Sequence, residues 1–222
     1  MRPYYLTTPI YYVNDLPHIG HIYTTVVADT LARYRRLRGD DVYFLTGTDE
    51  HGQKIERAAA AEGVTPKAFV DRVSETFRTL PPVLGCEPND FIRTTEARHQ
   101  KVVHELWERC RKNGYISEGT YSGLYCVGCE AYYTEKELLP GNVCPVHKTP
   151  IEKIKEESYF FRLSKYTEPL LAYYAAHPDF VRPDGKFNEV KAFVKEGLRD
   201  LSISRTSFRW GIPVEKDPEH VV

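Results

Sequence analysis

One stretch of this chain constrains its fold most, because it runs from an apolar segment through a His-x-Gly-His tetrad into a long helical pattern. The apolar segment covers residues 4–12, and the tetrad His18-Ile19-Gly20-His21 follows it. Between Ile19 and Leu37 apolar side chains recur at helical spacing, and Gly39 ends the pattern. The sequence therefore predicts a strand that turns into the N-terminus of an amphipathic helix, with two imidazoles and a glycine at the turn.

The tetrad also indicates a phosphate site. A helix N-terminus offers backbone N–H groups and the positive end of the helix dipole, and both favour a bound phosphate. Gly20 allows a close approach of ligand to backbone, and His18 and His21 lie on one side of the first turn because they are three residues apart. A local turn with exposed histidines is the alternative. The strand, the helix and a second polar loop favour a nucleotide site.

The following segments predict an α/β fold. A second apolar strand at residues 42–45 leads into a polar loop at residues 46–52, and helical patterns follow to about residue 62, from Pro66 and from near Thr95. This order predicts a doubly wound, Rossmann-type parallel sheet, whose ligands bind at the carboxyl ends of the strands. Asp49 in the polar loop is either a helix N-cap or a carboxylate placed to hold an ammonium group.

The character of the sequence changes after Gly114. Residues 115 to about 155 have closely spaced Gly, Tyr, Cys and Pro, which is typical of a small module stabilised by metal. We therefore expect a nucleotide-binding domain at residues 1–114 and, from residue 115, a small module inserted into it or appended to it, with a zinc knuckle at about 120–150. Val221 and Val222 look like the beginning of another strand.

Two short knuckles supply the ligands of a metal site. Cys126 and Cys129 are separated by two residues, as are Cys144 and His147. Three thiolates and one imidazole suit tetrahedral Zn²⁺, and a site closed by four protein ligands is structural rather than catalytic. The alternatives are chance core cysteines or a disulfide, which would leave one cysteine and His147 without a role. Cys86 and Cys110 are expected to be core residues.

Composition limits the classes of function. A formal net charge of −1 argues against a protein that coats nucleic acid nonspecifically, although the arginines at 33–38 could contact an RNA backbone instead of ending a solvated helix. The sequence lacks an apolar run of about 18 residues, so we expect no membrane span. Cysteines in a metal-type pattern indicate a reducing, cytoplasmic location.

These motifs together resemble the methionyl-tRNA synthetases, which are class I aminoacyl-tRNA synthetases. The tetrad alone would indicate only class I or a related nucleotidyltransferase, whereas the lead-in at residues 9–14 and the single Cys3His site narrow the resemblance to the methionine enzymes. The matching stretches cover nearly the whole chain and lie at residues 7–14, 17–21, 44–52, 90–95, 123–126, 132–135 and 200–205.

The resemblance implies activation of L-methionine by Mg²⁺-ATP and transfer of the methionyl group to the 3′ end of tRNA(Met). By the same resemblance His18 and His21 are the catalytic residues, contacting the phosphates of ATP. The resemblance also implies that Asn14, Gly20 and Arg205 bind ATP. The residues implied for methionine are Ile10 and Tyr12, which line its pocket, and Asp49, which holds its ammonium group.

The resemblance implies that residues 1–114 are the N-terminal half of the catalytic domain, with the first half of its sheet, and that residues 115–222 are a connective insertion and the start of the return to that domain. In the family the chain continues with a second half of the sheet, a lysine-rich loop and an anticodon-binding domain, so the resemblance also implies an N-terminal fragment. We therefore expect this chain to bind zinc and, weakly, ATP, but not to charge tRNA by itself. Two rivals stay open from the residues alone. One is another class I synthetase, for valine, isoleucine, leucine or cysteine, and the other is a noncatalytic zinc-bearing module that binds nucleotide or RNA.

Overall fold

The computed structural model describes residues 1–126, 128–129, 131–133 and 135–222. Packing of the backbone divides the chain into two compact units, Met1–Val103 with Phe208–Ile212, and His104–Ser207 with Pro213–Val222. The helices are α1 (Ile19–Leu37), α2 (Gln53–Ala61), α3 (Pro66–Val83), α4 (Ala97–Lys112), α5 (Thr167–Ala176) and α6 (Asp184–Lys195). The strands are β1 (Pro3–Thr7), β2 (Tyr11–Tyr12), β3 (Asp41–Asp49), β4 (Asp90–Arg93), β5 (Ile116–Cys126), β6 (Ala131–Tyr133), β7 (Glu152–Phe161), β8 (Leu201–Ser202), β9 (Pro213–Val214) and β10 (Asp217–Val221).

The first unit is built on a parallel sheet with β3 at its centre, which confirms the predicted α/β class. β1 and β2 pair with the beginning and the end of β3 on one side, and β4 pairs with β3 on the other side. The apolar segment is therefore two strands rather than one. Pro9 lies in the interruption, and a proline has no N–H group to donate to a neighbouring strand.

Helix α1 has the predicted bounds, but it buries the side opposite to its apolar stripe. Ala28 and Ala32 pack against Val42 and Phe44 of β3, because small side chains allow the helix to lie close to the sheet. The apolar stripe is exposed instead, and Leu37 is 89% exposed. The exposed members of this stripe are Ile19, Tyr23, Val26, Val27, Tyr34 and Leu37.

A second core cluster lies under the tetrad. Phe69, Val70, Val73 and Phe77 of α3 are buried, as their spacing predicts. They pack with residues of β2 and α2. The Phe77 ring lies 5.1 Å from the His21 ring, measured between centroids, so the core of this unit supports the tetrad directly.

The second unit contains an antiparallel sheet in the order β6-β5-β7-β8 and a separate pair formed by β9 and β10. The long strand β5, which pairs with β7 over residues 116–125, was not predicted as such, because its glycines hide the alternating pattern. The boundary between the two units falls inside α4, and within the second unit His104 and Trp107 of α4 contact Pro213 and Tyr159. Within the described residues, none of the helices has the length and apolarity needed to cross a bilayer.

Candidate functional site

The two histidines of the tetrad cap helix α1 reciprocally. His18 is the N-cap, and its Nδ1 accepts a hydrogen bond from the Gly20 N–H at 3.1 Å. The Nδ1 of His21 accepts one from the His18 N–H, also at 3.1 Å. This is a capping box in which imidazoles replace the usual hydroxyl and carboxylate groups. The centroids of the two rings are 3.8 Å apart, and the ring planes are inclined by 30°.

The capping bonds fix the protonation pattern of both rings. A neutral imidazole has one N–H donor and one acceptor nitrogen, and in His18 and His21 the acceptor is Nδ1. Each Nε2 therefore carries the proton and can donate to an oxygen of a ligand. Burial and the neighbouring His18 lower the pKa of His21, which keeps it in the neutral form at pH 7. The pair thus presents two N–H donors at a helix N-terminus, as an anion site requires.

Gly20 is required for this arrangement by its own surroundings. A Cβ at this position would lie 2.9 Å from Cε1 and 3.1 Å from Nδ1 of His18. Such contacts are too short for carbon atoms in van der Waals contact, so a side chain would displace the imidazole. The glycine therefore makes room for the His18 ring, independently of any room that it leaves for a ligand.

Tyr11 connects the tetrad to the sheet and was not singled out for a role by the sequence. Its ring lies 4.8 Å from the His21 ring and its hydroxyl lies 2.8 Å from the Thr25 hydroxyl. The Thr25 hydroxyl in turn donates to the His21 carbonyl. A tyrosine between Ile10 and Tyr12 in an apolar segment is indistinguishable in sequence from ordinary core packing, so only the structure reveals this support.

The parallel register brings together Tyr12 and Asp49, two of the residues implied for methionine. They are direct partners at the ends of β2 and β3, and the Val13 N–H donates to the Asp49 carbonyl at 3.3 Å. Ile10 directly precedes β2 and is 42% exposed, while Asn14 is exposed beyond its other end. All of these residues belong to the first unit, as the tetrad does. The carboxyl ends of its parallel strands therefore carry both groups of polar residues.

Glu50 is a further residue of this edge that the sequence analysis did not single out. Its side chain is fully buried and receives two hydrogen bonds from Arg93, at 2.6 and 2.9 Å. His51 beside it is half-buried, and loss of hydration lowers its pKa to about 4 although the Glu50 charge opposes the shift. The signal in the sequence was the adjacent acidic pair Asp49-Glu50, since two neighbouring carboxylates repel each other unless one of them has a cationic partner.

Arg205 is the one residue of the predicted ATP site that lies in the second unit. Its Nη1 donates to the Ser202 hydroxyl at 2.7 Å and to the Ser204 carbonyl at 2.9 Å. Its Nε lies 3.8 Å from an oxygen of the buried Glu156. These contacts hold the guanidinium within its own unit.

The four predicted metal ligands come together as the spacing predicts. The ligand atoms of Cys126, Cys129, Cys144 and His147 all lie within 4.8 Å of one another. Cys129 Sγ is 3.5 Å from Cys144 Sγ, and Cys126 Sγ is 3.9 Å from His147 Nδ1. A tetrahedron with metal–sulfur bonds of about 2.3 Å has edges of about 3.8 Å, so the cluster has the size of a tetrahedral metal site.

The surroundings of Cys144 favour a thiolate ligand, whereas the hydrogen bond with Tyr133, which lowers the pKa of Cys129, is outweighed by burial and the neighbouring thiols, so that this pKa is raised. Burial opposes ionisation of Cys144, but hydrogen bonds from the backbone of His147 and from neighbouring groups outweigh it and lower the pKa to about 6. Gly128 allows the His147 ring to approach, because a Cβ there would lie 2.6 Å from the ring. This glycine is a second position that spacing alone did not single out. The residues present therefore fit a possible Cys3His metal site.

Comparison with known proteins agrees with the motifs. The family model described as tRNA synthetases class I (M) matches residues 4–152 and 138–222. A methionine–tRNA ligase of Rickettsia conorii is 54% identical over 219 residues, which are 99% of this chain and 43% of that protein. The Thermotoga maritima methionine–tRNA ligase is 50% identical over 222 residues, which are 99% of this chain and 35% of that protein. The chain thus spans less than half the length of these relatives.

Solved structures give the same result. The methionyl-tRNA synthetase of Mycobacterium tuberculosis bound by methionyl-adenylate superposes with a TM-score of 0.94 at 48% identity, over 99% of this chain and 44% of that one. The free form of the same enzyme superposes with a TM-score of 0.81 at 42% identity, over 100% and 43% of the two chains. By its matched sequence and its fold, this chain belongs to the methionyl-tRNA synthetase family of class I aminoacyl-tRNA synthetases.

Proposed function

We propose that the protein carrying this sequence is a methionine–tRNA ligase. In this reaction a carboxylate oxygen of methionine attacks the α-phosphorus of Mg²⁺-ATP, and pyrophosphate leaves. The methionyl group of the resulting adenylate then passes to the terminal adenosine of tRNA(Met). The observation that carries the proposal is that the His18–His21 capping box and the Tyr12–Asp49 pair belong to the carboxyl edge of one parallel sheet.

The tetrad would act on the phosphates. The Nε2–H groups of His18 and His21 would donate to phosphate oxygens, on which negative charge increases as pyrophosphate departs. Because the backbone already holds both rings, little reorganisation is needed when the charge develops. We assign Asn14 and Gly20 to the same ATP site, and from the family resemblance we propose that Arg205 also binds ATP. Mg²⁺ would be bound with the phosphates of ATP.

The sheet edge beside the tetrad would hold the amino acid. A carboxylate is the natural partner of an α-ammonium group, and Asp49 supplies one at the end of β3. Tyr12, its partner in the register, and Ile10 would line the pocket for the thioether side chain. Aromatic and aliphatic groups suit a polarizable methionine side chain.

We further propose that the Cys3His site binds one Zn²⁺. Cys126, Cys129, Cys144 and His147 would be its ligands, and the ion would supply folding free energy to the segment around the knuckles rather than chemistry. Thiolate ligands of this kind need a reducing compartment, so we also propose a cytoplasmic location.

The activity is tested by ATP–pyrophosphate exchange in the full-length protein that carries this sequence. We expect exchange with methionine and none with valine, isoleucine, leucine or cysteine. The variant His21→Ala should lower kcat about 100- to 1000-fold, because one preorganised donor is lost. His177→Ala removes an exposed histidine of the second unit and should leave exchange unchanged.

Other outcomes would identify a different function. Exchange that depends on another amino acid would favour a different class I synthetase. Binding of RNA without any amino-acid-dependent exchange would favour a noncatalytic module.

A further inference from the structure

A buried carboxylate with a complete set of partners follows directly after Asp49. The Glu50 side chain has no solvent exposure. One of its oxygens accepts from the Thr48 hydroxyl and from Arg93 Nε, both at 2.6 Å. The other accepts from Arg93 Nη2 at 2.9 Å and from the Thr95 hydroxyl at 2.5 Å. Four hydrogen bonds, two of them from one guanidinium, hold this side chain in a single orientation.

The backbone of Glu50 is held as firmly as its side chain. Its N–H donates to the Thr94 hydroxyl at 2.9 Å, and its carbonyl accepts from the indole of Trp210 at 2.5 Å. Both groups belong to the first unit. The backbone of Glu50 is therefore fixed by two separate segments of the first unit, one of which lies far along the chain.

The buried ion pair between Glu50 and Arg93 is not explained by stability alone, because removing both charges from water costs free energy. Burial raises the pKa of Glu50, but the bonds from Arg93, Thr48 and Thr95 outweigh burial and bring the pKa below its ordinary value. Buried ion pairs of this kind are often no more stabilising than apolar side chains of the same size. Arg93 also donates to Asp71 of α3 at 2.6 Å, which extends the network to a helix.

The geometry connects this network to Asp49. Successive side chains of a strand point to opposite faces, and the contact between Thr48 and Glu50 shows that these two share one face. Asp49 between them therefore points to the other face. Its backbone is held by β2, through its pairing with Tyr12 and the Val13 N–H. Asp49 and Glu50 also share a peptide unit, so a Glu50 backbone that lost its fixed position would turn this unit and shift the Asp49 carboxylate.

We infer that Glu50, clamped by Arg93, is a positioning residue that fixes the Asp49 carboxylate for the ammonium group of methionine. The inference rests on the proposed function. Glu50 itself would not touch the substrate. Arg93 would neutralise its charge, so that Asp49 remains the carboxylate that faces the ammonium group.

The test is the steady-state kinetics of ATP–pyrophosphate exchange by Glu50→Gln in the full-length protein. The amide keeps the shape of the side chain but loses the charge and mismatches the donors of Arg93. We expect the KM for methionine to rise about 10-fold or more, since small displacements of a binding group weaken binding strongly. The KM for ATP should stay within about twofold, because the tetrad is held by other bonds.

Two further variants keep the inference falsifiable. Asp71→Asn removes the other partner of Arg93 without touching Glu50, so it should lower Tm and leave the KM for methionine unchanged. Thr95→Val removes one bond to Glu50 and should raise the KM for methionine less than Glu50→Gln does.

The inference is overturned if Glu50→Gln changes both KM values equally, or if Asp71→Asn raises the KM for methionine as much as Glu50→Gln does. Absence of methionine-dependent exchange in the unmodified protein would instead reject the proposed function, so the two failures are distinguishable.

Discussion

His18 and His21 each combine a structural role with the proposed chemical one, on the two different nitrogens of one ring. Each Nδ1 satisfies a backbone N–H group at the start of α1, and this leaves each Nε2 as a donor of known direction. A substitution of either histidine therefore removes both a cap and a donor. Replacing Gly20 by alanine would disturb the imidazole donors without weakening the helix, because alanine is a good helix former.

We predict that Gly20→Ala displaces the His18 ring and weakens use of ATP. The added Cβ would lie 2.9 Å from the ring, whereas alanine favours helix more than glycine by about 1 kcal/mol. In ATP–pyrophosphate exchange kcat/KM for ATP should fall about 10-fold or more, with Tm unchanged or slightly higher.

Gly185→Ala is the matched control. Gly185 occupies the second position of α6, as Gly20 does in α1, and a Cβ there meets open space. This variant should keep full exchange activity. Equal losses of exchange activity in Gly20→Ala and Gly185→Ala would show that crowding of the His18 ring is not the cause of the loss.

At the scale of elements, local motifs could be predicted from the sequence, whereas contacts between residues far apart in the chain could not. The spacing of the cysteines predicted their cluster, and the apolar stripe of α3 predicted its buried face. The clamp on Glu50 could not be predicted, because Arg93 and Trp210 lie 43 and 160 residues away from it. The buried side of α1 was hidden for another reason, since close packing on the sheet selects small side chains over large apolar ones.

The metal knuckles give the prediction that belongs to this scale. Cys144→Ser should reduce bound zinc from about one ion per chain to none, because tetrahedral structural sites need all four ligands. It should also lower the Tm of the protein, since zinc binding contributes to folding. Metal analysis and thermal unfolding measure the two effects.

Cys110→Ser controls for the loss of a thiol. Cys110 is a free cysteine of α4 outside the cluster, so its variant should retain the full zinc content. Unchanged zinc content in Cys144→Ser would reject the proposed site.

At the scale of the whole chain, the sheet of the first unit has one face that its helices cover and one that they do not. Tyr4 and Leu6 of β1 pack with α1, whereas Tyr5, between them, is 65% exposed. Tyr43 of the central strand is 46% exposed and lies beside it, with ring centroids 6.0 Å apart. Parallel sheets are usually covered on both faces, so these tyrosines and the stripe on α1 are large apolar groups in contact with water.

The exposed stripe on α1 has a consequence for the behaviour of this chain in solution. Its members fall within an arc of roughly 100° when successive residues are placed on a helix, so they form one continuous hydrophobic strip rather than scattered contacts. Exposed strips of this kind promote aggregation. We predict that the 222-residue chain self-associates increasingly with concentration in sedimentation velocity, and that Val27→Lys reduces this. Thr79→Lys adds the same charge at an exposed polar position of α3 and should leave self-association unchanged. The comparison separates association through the hydrophobic strip from a general effect of added charge on solubility.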